Sequence, residues 1–248
     1  MMHSFLLIGQ SNMAGRGFLA DAPALDNHGL YVFRNGRFQP MFRPVNPDRA
    51  FSGTNLSERF ARLYADAYGV EVGVIPCADG GTAIRQWEKG SLLYDNAVNC
   101  ARLAARTSVI AGVLWHQGET DCYGDEPKFY RARLEKLFCD LRRDAGLEGV
   151  PIVVGGLGDY LRDFTDEEVR RNYALITEIT REYAKDTPLV AFADGSELPC
   201  NPDHLHFSAA GLEKFGERYF AAYKTIAKDA RLAVGGTSDE ARTALEAL

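Results

Sequence analysis

The chain has 248 residues, of which 46% are hydrophobic and 25% are charged, and its formal net charge is −6. This length suits one large α/β domain, and the composition excludes a disordered or collagen-like protein. The acidic balance argues against a nucleic-acid backbone and an anionic membrane as ligands, so neither a nucleic acid nor a membrane is expected as a partner.

Short apolar runs recur along the chain and predict the strands. Each run is nearly continuous in apolar character, as in a strand whose two faces are both buried in a parallel sheet. The runs cover residues 5–8, 70–75, 109–115, 151–154 and 189–192.

Longer amphipathic stretches separate these runs and predict helices. Asn55 precedes the first helix as an N-cap, and Thr165 with Glu168 gives a capping-box pattern before a later one. The predicted helices cover residues 56–68, 95–106, 126–145, 166–185 and 208–228. The alternation predicts a three-layer α/β/α sandwich around five parallel strands, with the ligand site beyond their carboxyl ends.

Two regions depart from this alternation. Residues 15–51 form an irregular insert, in which residues 31–38 carry an Asn35-Gly36 turn between strand-like halves and predict a β-hairpin. Residues 229–248 are expected to form a peripheral tail. The remaining residues, 1–228, are therefore predicted to be a single domain.

Polar motifs follow the first two predicted strands. Residues 9–13 read Gly-Gln-Ser-Asn-Met, in which Ser11 can serve as a nucleophile or simply cap the next helix. Met13 stands where the G-x-S-x-G elbow of α/β-hydrolases has glycine, so this is not that motif. Gly80 and Gly81 follow the second strand and favour either a tight turn or a close backbone approach with exposed N–H groups.

The third predicted strand ends in a dense polar segment at residues 115–121. Polar groups at a buried strand end require partners, which fits a structural network as well as a functional site. His116, Glu119 and Asp121 also suggest metal ligands. They lack the H-E-x-x-H helical spacing, however, and no metal is predicted.

After the fifth strand, Asp203 precedes His206 by three residues, just before a predicted helix. A carboxylate at this offset can bind the imidazole Nδ1, orient the ring and stabilise the imidazolium. The alternative is a pair of surface histidines, which His204 fits better than His206.

Together these strand ends supply the parts of a serine hydrolase. Ser11 would be the nucleophile, His206 its base and Asp203 the residue that orients the base. The oxyanion donors would be the backbone N–H groups of Ser11 and of Gly80 or Gly81, with the side-chain amide of Gln117.

The five cysteines and the N-terminal sequence indicate the cellular compartment in which the protein is expected. The cysteine count is odd and no C-x-x-C pair occurs, which argues for reduced thiols and against a disulfide framework or a structural zinc. The apolar run at residues 5–8 is too short for a signal-peptide core. We therefore expect a cytoplasmic protein, with secretion as the alternative if a leader peptide has been removed.

The four motifs, at residues 9–13, 80–82, 115–119 and 203–206, resemble the blocks of the SGNH hydrolase superfamily in their order along the chain. More narrowly, they are similar to the sialate O-acetylesterase and carbohydrate esterase family 6 acetylxylan esterase group. The resemblance implies a triad of Ser11, His206 and Asp203, with Gln117 where the wider superfamily has Asn. In this group Glu119 is a second or rival acid partner for the histidine.

The resemblance implies a serine esterase that removes O-acetyl groups from a carbohydrate of sialic acid or xylan type, through an acetyl-enzyme and without a metal or organic cofactor. Substrate contacts are expected from Gln10, Asn12, Trp87 and Tyr123, since aromatic rings offer faces to a sugar. One alternative is an esterase or thioesterase for short acyl groups that are not on sugars. Another is a carbohydrate-binding protein without catalysis.

Overall fold

The computed structural model describes residues 1–227 and the backbone of a short strand at Ala233–Val234. The strands are β1 His3–Gly9, β2 Leu30–Arg34, β3 Arg37–Pro40, β4 Val72–Pro76, β5 Val109–His116, β6 Ile152–Gly155, β7 Val190–Ala193 and β8 Ala233–Val234. The α-helices are α1 Ser11–Ala14, α2 Leu56–Tyr68, α3 Leu92–Ala104, α4 Pro127–Ala145, α5 Glu167–Asp186 and α6 Ala209–Ile226.

The strands form one sheet in the order β3-β2-β4-β1-β5-β6-β7, and β8 pairs with the start of β5. The predicted α/β/α sandwich is confirmed, but the count of five parallel strands is too low. Within the described part of the chain six strands run parallel, because β2 of the predicted hairpin pairs with β4 through Val32 and Val74. Only β3 and β8 are antiparallel to their neighbours there.

The helices flank the sheet and bury its faces. α2 packs against α6, while α3, α4 and α5 contact one another in series. α2 begins at a capping box, in which Asn55 accepts from the Ser57 N–H and Glu58 accepts from the Asn55 N–H, and it ends at Gly69 in the left-handed conformation. Among residues 1–227, no helix is long and apolar enough to cross a membrane.

The two central strands, β1 and β5, position the site. Every residue in both is buried, and their last residues, Gly9 and His116, pair side by side. Gly9 has φ +130° and a Cβ there would lie 2.1 Å from the His116 carbonyl oxygen, so only glycine fits. The chain therefore turns sharply out of the sheet directly before Ser11. Apart from β8, the predicted peripheral tail at 229–248 lies outside the described residues.

Candidate active site

Ser11 lies where the central strand β1 gives way to the short helix α1. The residue is 7% exposed and opens onto a cleft at the carboxyl edge of the sheet. Its Oγ is 3.0 Å from Nε2 of His206, which comes from the other end of the chain. This is the edge at which parallel sheets place their ligand sites.

The loop of residues 200–208, here called the histidine loop, carries the other two predicted triad residues. His206 Nδ1 lies 2.7 Å from Asp203 Oδ2, while Asp203 Oδ1 accepts the backbone N–H groups of Leu205 and His206, both at 3.0 Å. Partial burial raises the pKa of Asp203, but these hydrogen bonds outweigh it and lower the pKa to about 2. An ionised carboxylate accepts the Nδ1 proton, which leaves Nε2 free to accept the proton of Ser11.

Glu119 does not reach the triad histidine, which corrects its prediction as a second acid partner. Both ring nitrogens of His206 are already in contact, with Asp203 and Ser11. Glu119 is 3% exposed, and its Oε1 lies 2.5 Å from Asn12 Nδ2 and 3.5 Å from His116 Nε2. His204 also lies outside the triad, with its ring nitrogen 4.0 Å from the sulfur of Cys200.

The second wall of the cleft is the glycine loop, defined here as residues 77–82. Gly80 lies directly beside Ser11, because a Cβ built on it would be 3.5 Å from the Ser11 Cβ. Its N–H is not free, since it donates to Asp48 Oδ2 at 2.8 Å. Among the described residues, the N–H groups of Ser11 and Gly81 have no acceptor, so both are open to a ligand in the cleft.

A buried ion pair holds the glycine loop, and the sequence analysis missed it. Asp48 Oδ2 lies 2.7 Å from Arg16 Nη2, both side chains are 5% exposed, and Ser52 donates a further hydrogen bond to the carboxylate. Burial raises the pKa of Asp48, but the bonds from Arg16, Ser52 and Gly80 outweigh it and lower the pKa. Both residues lie in the irregular insert, where no motif marked them.

Gln117 is not placed at Ser11, which corrects its prediction as an oxyanion donor. The side chain is 1% exposed and does not line the cleft. Its amide hydrogens face the Thr82 carbonyl at 2.9 Å and the Asp121 carboxylate. Gln117 therefore supports the glycine loop from beneath, through Thr82.

The comparisons with known proteins bear on the family and the fold. Residues 1–225 match the carbohydrate esterase, sialic acid-specific acetylesterase family. The chain belongs to this family. The predicted resemblance is thereby confirmed, and the esterase is a carboxylic ester hydrolase whose family acts on acetylated carbohydrates.

Individual relatives share the fold over most of this esterase. A probable carbohydrate esterase of Arabidopsis thaliana is 28% identical over 247 residues, covering 88% of this chain and 89% of its own. The X-ray structure of that protein has a TM-score of 0.78 at 25% identity and covers 90% of this chain and 98% of its own.

More distant structures share the fold alone. A carbohydrate acetylesterase from Xanthomonas citri has a TM-score of 0.68 at 21% identity, with 91% of this chain and 56% of that chain covered. NanS has a TM-score of 0.72 at 15% identity, with 92% of this chain and 98% of that chain covered.

The predicted substrate contacts of the esterase separate into two groups. Tyr123 is 40% exposed and lines the cleft, and its contact with a sugar stays a prediction. Trp87 is wholly buried against Trp115 and cannot meet a substrate, which corrects that prediction. Asn12 is 1% exposed and bonds within the protein, which corrects its prediction too.

Gln10 also lines the cleft, but its side-chain oxygen accepts hydrogen bonds from within the protein. It accepts the Gly118 and Thr120 N–H groups at 3.3 Å and the Gln117 amide at 3.1 Å. It therefore ties the end of β1 to the segment after β5. In residues 1–227 no group of His, Cys, Asp and Glu side chains has an arrangement suited to a metal ion.

Proposed function

We propose that this esterase removes O-acetyl groups from a carbohydrate with Ser11 as nucleophile. The observation that carries the proposal is one continuous line of contacts at the mouth of the cleft. It runs from Asp203 to His206 Nδ1 at 2.7 Å and from His206 Nε2 to Ser11 Oγ at 3.0 Å. A nucleophile, its base and the acid that orients the base are thus in hydrogen-bonding sequence.

The reaction follows from this order of contacts. Ser11 Oγ attacks the acetyl carbonyl carbon while its proton passes to His206 Nε2, and the N–H groups of Ser11 and Gly81 receive the developing oxyanion. The C–O bond to the sugar breaks as His206 returns the proton to the leaving oxygen. Water then attacks the acetyl-enzyme, with His206 again as base, and acetate leaves as Ser11 regains its proton.

The cleft favours a sugar as the leaving group. It holds about 320 Å³ and presents three partly exposed aromatic rings, those of Phe51, Tyr123 and Phe164. Aromatic faces pack well against the apolar faces of sugar rings, and a cleft of this size accepts a small saccharide. Sialic acid is the substrate that the family description names. Xylan-type sugars are the second substrate class, which the resemblance of the sequence motifs implies.

The test is a release assay for acetate. O-acetylated sialic acids and acetylated xylan are compared with a series of aryl esters from acetyl to octanoyl. We expect acetylated sugars and acetyl esters to be cleaved and octanoyl esters to be poor substrates. Preference for longer or non-sugar esters would contradict the carbohydrate assignment but not the serine mechanism.

The matched control is Ser11→Ala. Loss of the nucleophile should reduce kcat by on the order of 10⁴–10⁶-fold while the melting temperature stays near that of the wild type. A folded variant that keeps more than about a tenth of the activity would show that Ser11 is not the nucleophile.

A further inference from the structure

The side chain of Asn12 joins the nucleophile to its base without contacting either reacting atom. Asn12 directly follows Ser11, is 1% exposed, and bonds the residues on both sides of His206. Its Nδ2 donates to the Leu205 carbonyl at 3.2 Å, and its Oδ1 accepts the Phe207 N–H at 3.1 Å. One amide therefore spans the gap between the α1 turn and the histidine loop at the point where the two catalytic side chains meet.

Glu119 fixes the direction of that amide. It arrives from the end of β5, and its Oε1 accepts from Asn12 Nδ2 at 2.5 Å. Burial raises the pKa of Glu119, but the contacts with His116 and Asn12 outweigh it and lower the pKa. An ionised carboxylate only accepts, so Nδ2 must face Glu119 and Oδ1 must face the Phe207 N–H. The reversed amide would leave three pairs of like polar groups facing each other, because Oδ1 would face the Glu119 carboxylate and the Leu205 carbonyl while Nδ2 would face the Phe207 N–H.

We infer that Asn12 and Glu119 are positioning residues that hold His206 at hydrogen-bonding distance from Ser11. The inference rests on the proposed function, in which Ser11 and His206 take part in the reaction. Two observations set it apart from a purely structural role. The amide bonds to both neighbours of His206 and to Glu119, and neither ring nitrogen of His206 contacts the Glu119 carboxylate, since they contact Asp203 and Ser11.

The first test is Asn12→Ala. Removing the amide frees the histidine loop, and a displacement of about 1 Å costs on the order of 10²-fold in rate, so kcat should fall 10- to 100-fold while KM changes less than threefold. Asn55→Ala is the matched control. Asn55 is also buried and caps α2, so its loss should lower stability while kcat stays within about twofold. Equal kcat losses in the two variants would overturn the inference.

The second test reverses the hydrogen bond. Asn12→Asp places a carboxylate against Glu119 and should cost more than Asn12→Ala. Adding Glu119→Gln restores one donor between the two side chains, now pointing the other way, and returns the net charge of the pair to that of the wild type. The double variant should regain at least tenfold in kcat over Asn12→Asp alone. A double variant no better than Asn12→Asp would overturn the inference.

The third test does not depend on activity. A crystal structure of Asn12→Ala should show the distance from Ser11 Oγ to His206 Nε2 increased beyond the 3.0 Å of the parent chain. An unchanged distance overturns the positioning role even if the protein proves to cleave no acetyl ester. An increased distance with an unchanged kcat in an active protein overturns it as well. Failure of the wild type to release acetate contradicts the proposed function and leaves the distance to decide the positioning role.

Discussion

The histidine loop and the glycine loop face the same serine but are held in different ways. A neutral amide, that of Asn12, holds the histidine loop, and this residue is the immediate neighbour of Ser11 in the sequence. A buried ion pair, Arg16 with Asp48, holds the glycine loop through the Gly80 N–H. The two partners of that pair are 32 residues apart, and Asp48 comes from the irregular insert.

This difference determines whether substitutions at each loop change kcat or the free energy of unfolding. Each of the two neutral hydrogen bonds between Asn12 and the histidine loop contributes about 1 kcal/mol to stability, so loosening the loop should affect catalysis more than folding. Removing one partner of a buried ion pair leaves an unpaired buried charge, which costs about 3–5 kcal/mol. We therefore expect substitutions at the histidine loop to act mainly on kcat, and those at the glycine-loop ion pair to act mainly on the free energy of unfolding.

The largest effect is expected at His206. His206→Ala removes the base and should lower kcat by on the order of 10⁴–10⁶-fold with little change in melting temperature. His204→Asn is the control on the same loop, because His204 has φ +50° and Asn tolerates that conformation. The control should keep wild-type kcat. Equal losses in both variants would mean that the base has been assigned to the wrong residue.

The next largest effect is expected at Asp203, and it distinguishes the role of this carboxylate from that of Glu119. Asp203→Asn should reduce kcat by on the order of 10⁴-fold, because the ionised partner of Nδ1 is lost. Glu119→Gln should reduce it by tenfold or less, since Glu119 acts only through Asn12, with which the new side chain can still hydrogen-bond. The kcat values of the two variants are compared by steady-state kinetics on an acetyl ester. The reverse order of damage would place Glu119, rather than Asp203, on His206.

The sequence could single out the candidate triad residues because each lies at a strand end or in a short motif. Ser11 follows a buried strand, and Asp203 is tethered three residues before His206. The same reasoning could not tell which way a side chain points. Trp87 and Gln117 have the right chemistry for a site, yet they face the core and the underside of the glycine loop.

Two further features depend on contacts that are distant in sequence. Asp48 has no motif, and only the fold brings its carboxylate to the Gly80 N–H. Val32 belongs to a segment that has a hairpin pattern, and that pattern does not reveal that β2 also pairs with β4. Long-range pairing of this kind is set by tertiary packing rather than by local periodicity.

The ion pair at the glycine loop is tested by stability. Asp48→Ala should lower the free energy of unfolding by about 3–5 kcal/mol, because Arg16 is left buried without its partner. The combined change Arg16→Met with Asp48→Asn should cost less than Asp48→Ala alone, since no unpaired charge remains. Glu167→Ala, which breaks the exposed pair with Arg171, should cost less than about 1 kcal/mol. Denaturant unfolding gives all three values.

An Asp48→Ala variant as mild as Glu167→Ala would remove the contrast between the loops. A large loss of kcat in Asp48→Ala with unchanged stability would also break it, because the ion pair would then act on the oxyanion donors rather than on folding. The kcat and the free energy of unfolding of Asp48→Ala should therefore be measured on the same preparation.

The smallest expected effect is the acid dependence of the histidine loop. The pKa of Asp203 is lowered from 3.8 to about 2 in the folded state, mainly by its bonds to His206 and to two backbone N–H groups, which outweigh partial burial. Its ionised form therefore stabilises the fold above about pH 4, and this contribution disappears as the pH falls through about 2. Because the side chain is 46% exposed, solvent screening limits the effect to about 1 kcal/mol or less.

The measurement is the difference in unfolding free energy between the wild type and Asp203→Asn at several pH values. Asp48 also has a lowered pKa but is present in both proteins, so its contribution cancels in the difference. The difference should be largest near neutral pH and should shrink steadily between about pH 4 and about pH 2, where the carboxyl group of the wild type becomes protonated. A difference that stays constant down to about pH 2 would mean that Asp203 holds His206 by geometry alone, and that its charge adds nothing to the stability of the histidine loop.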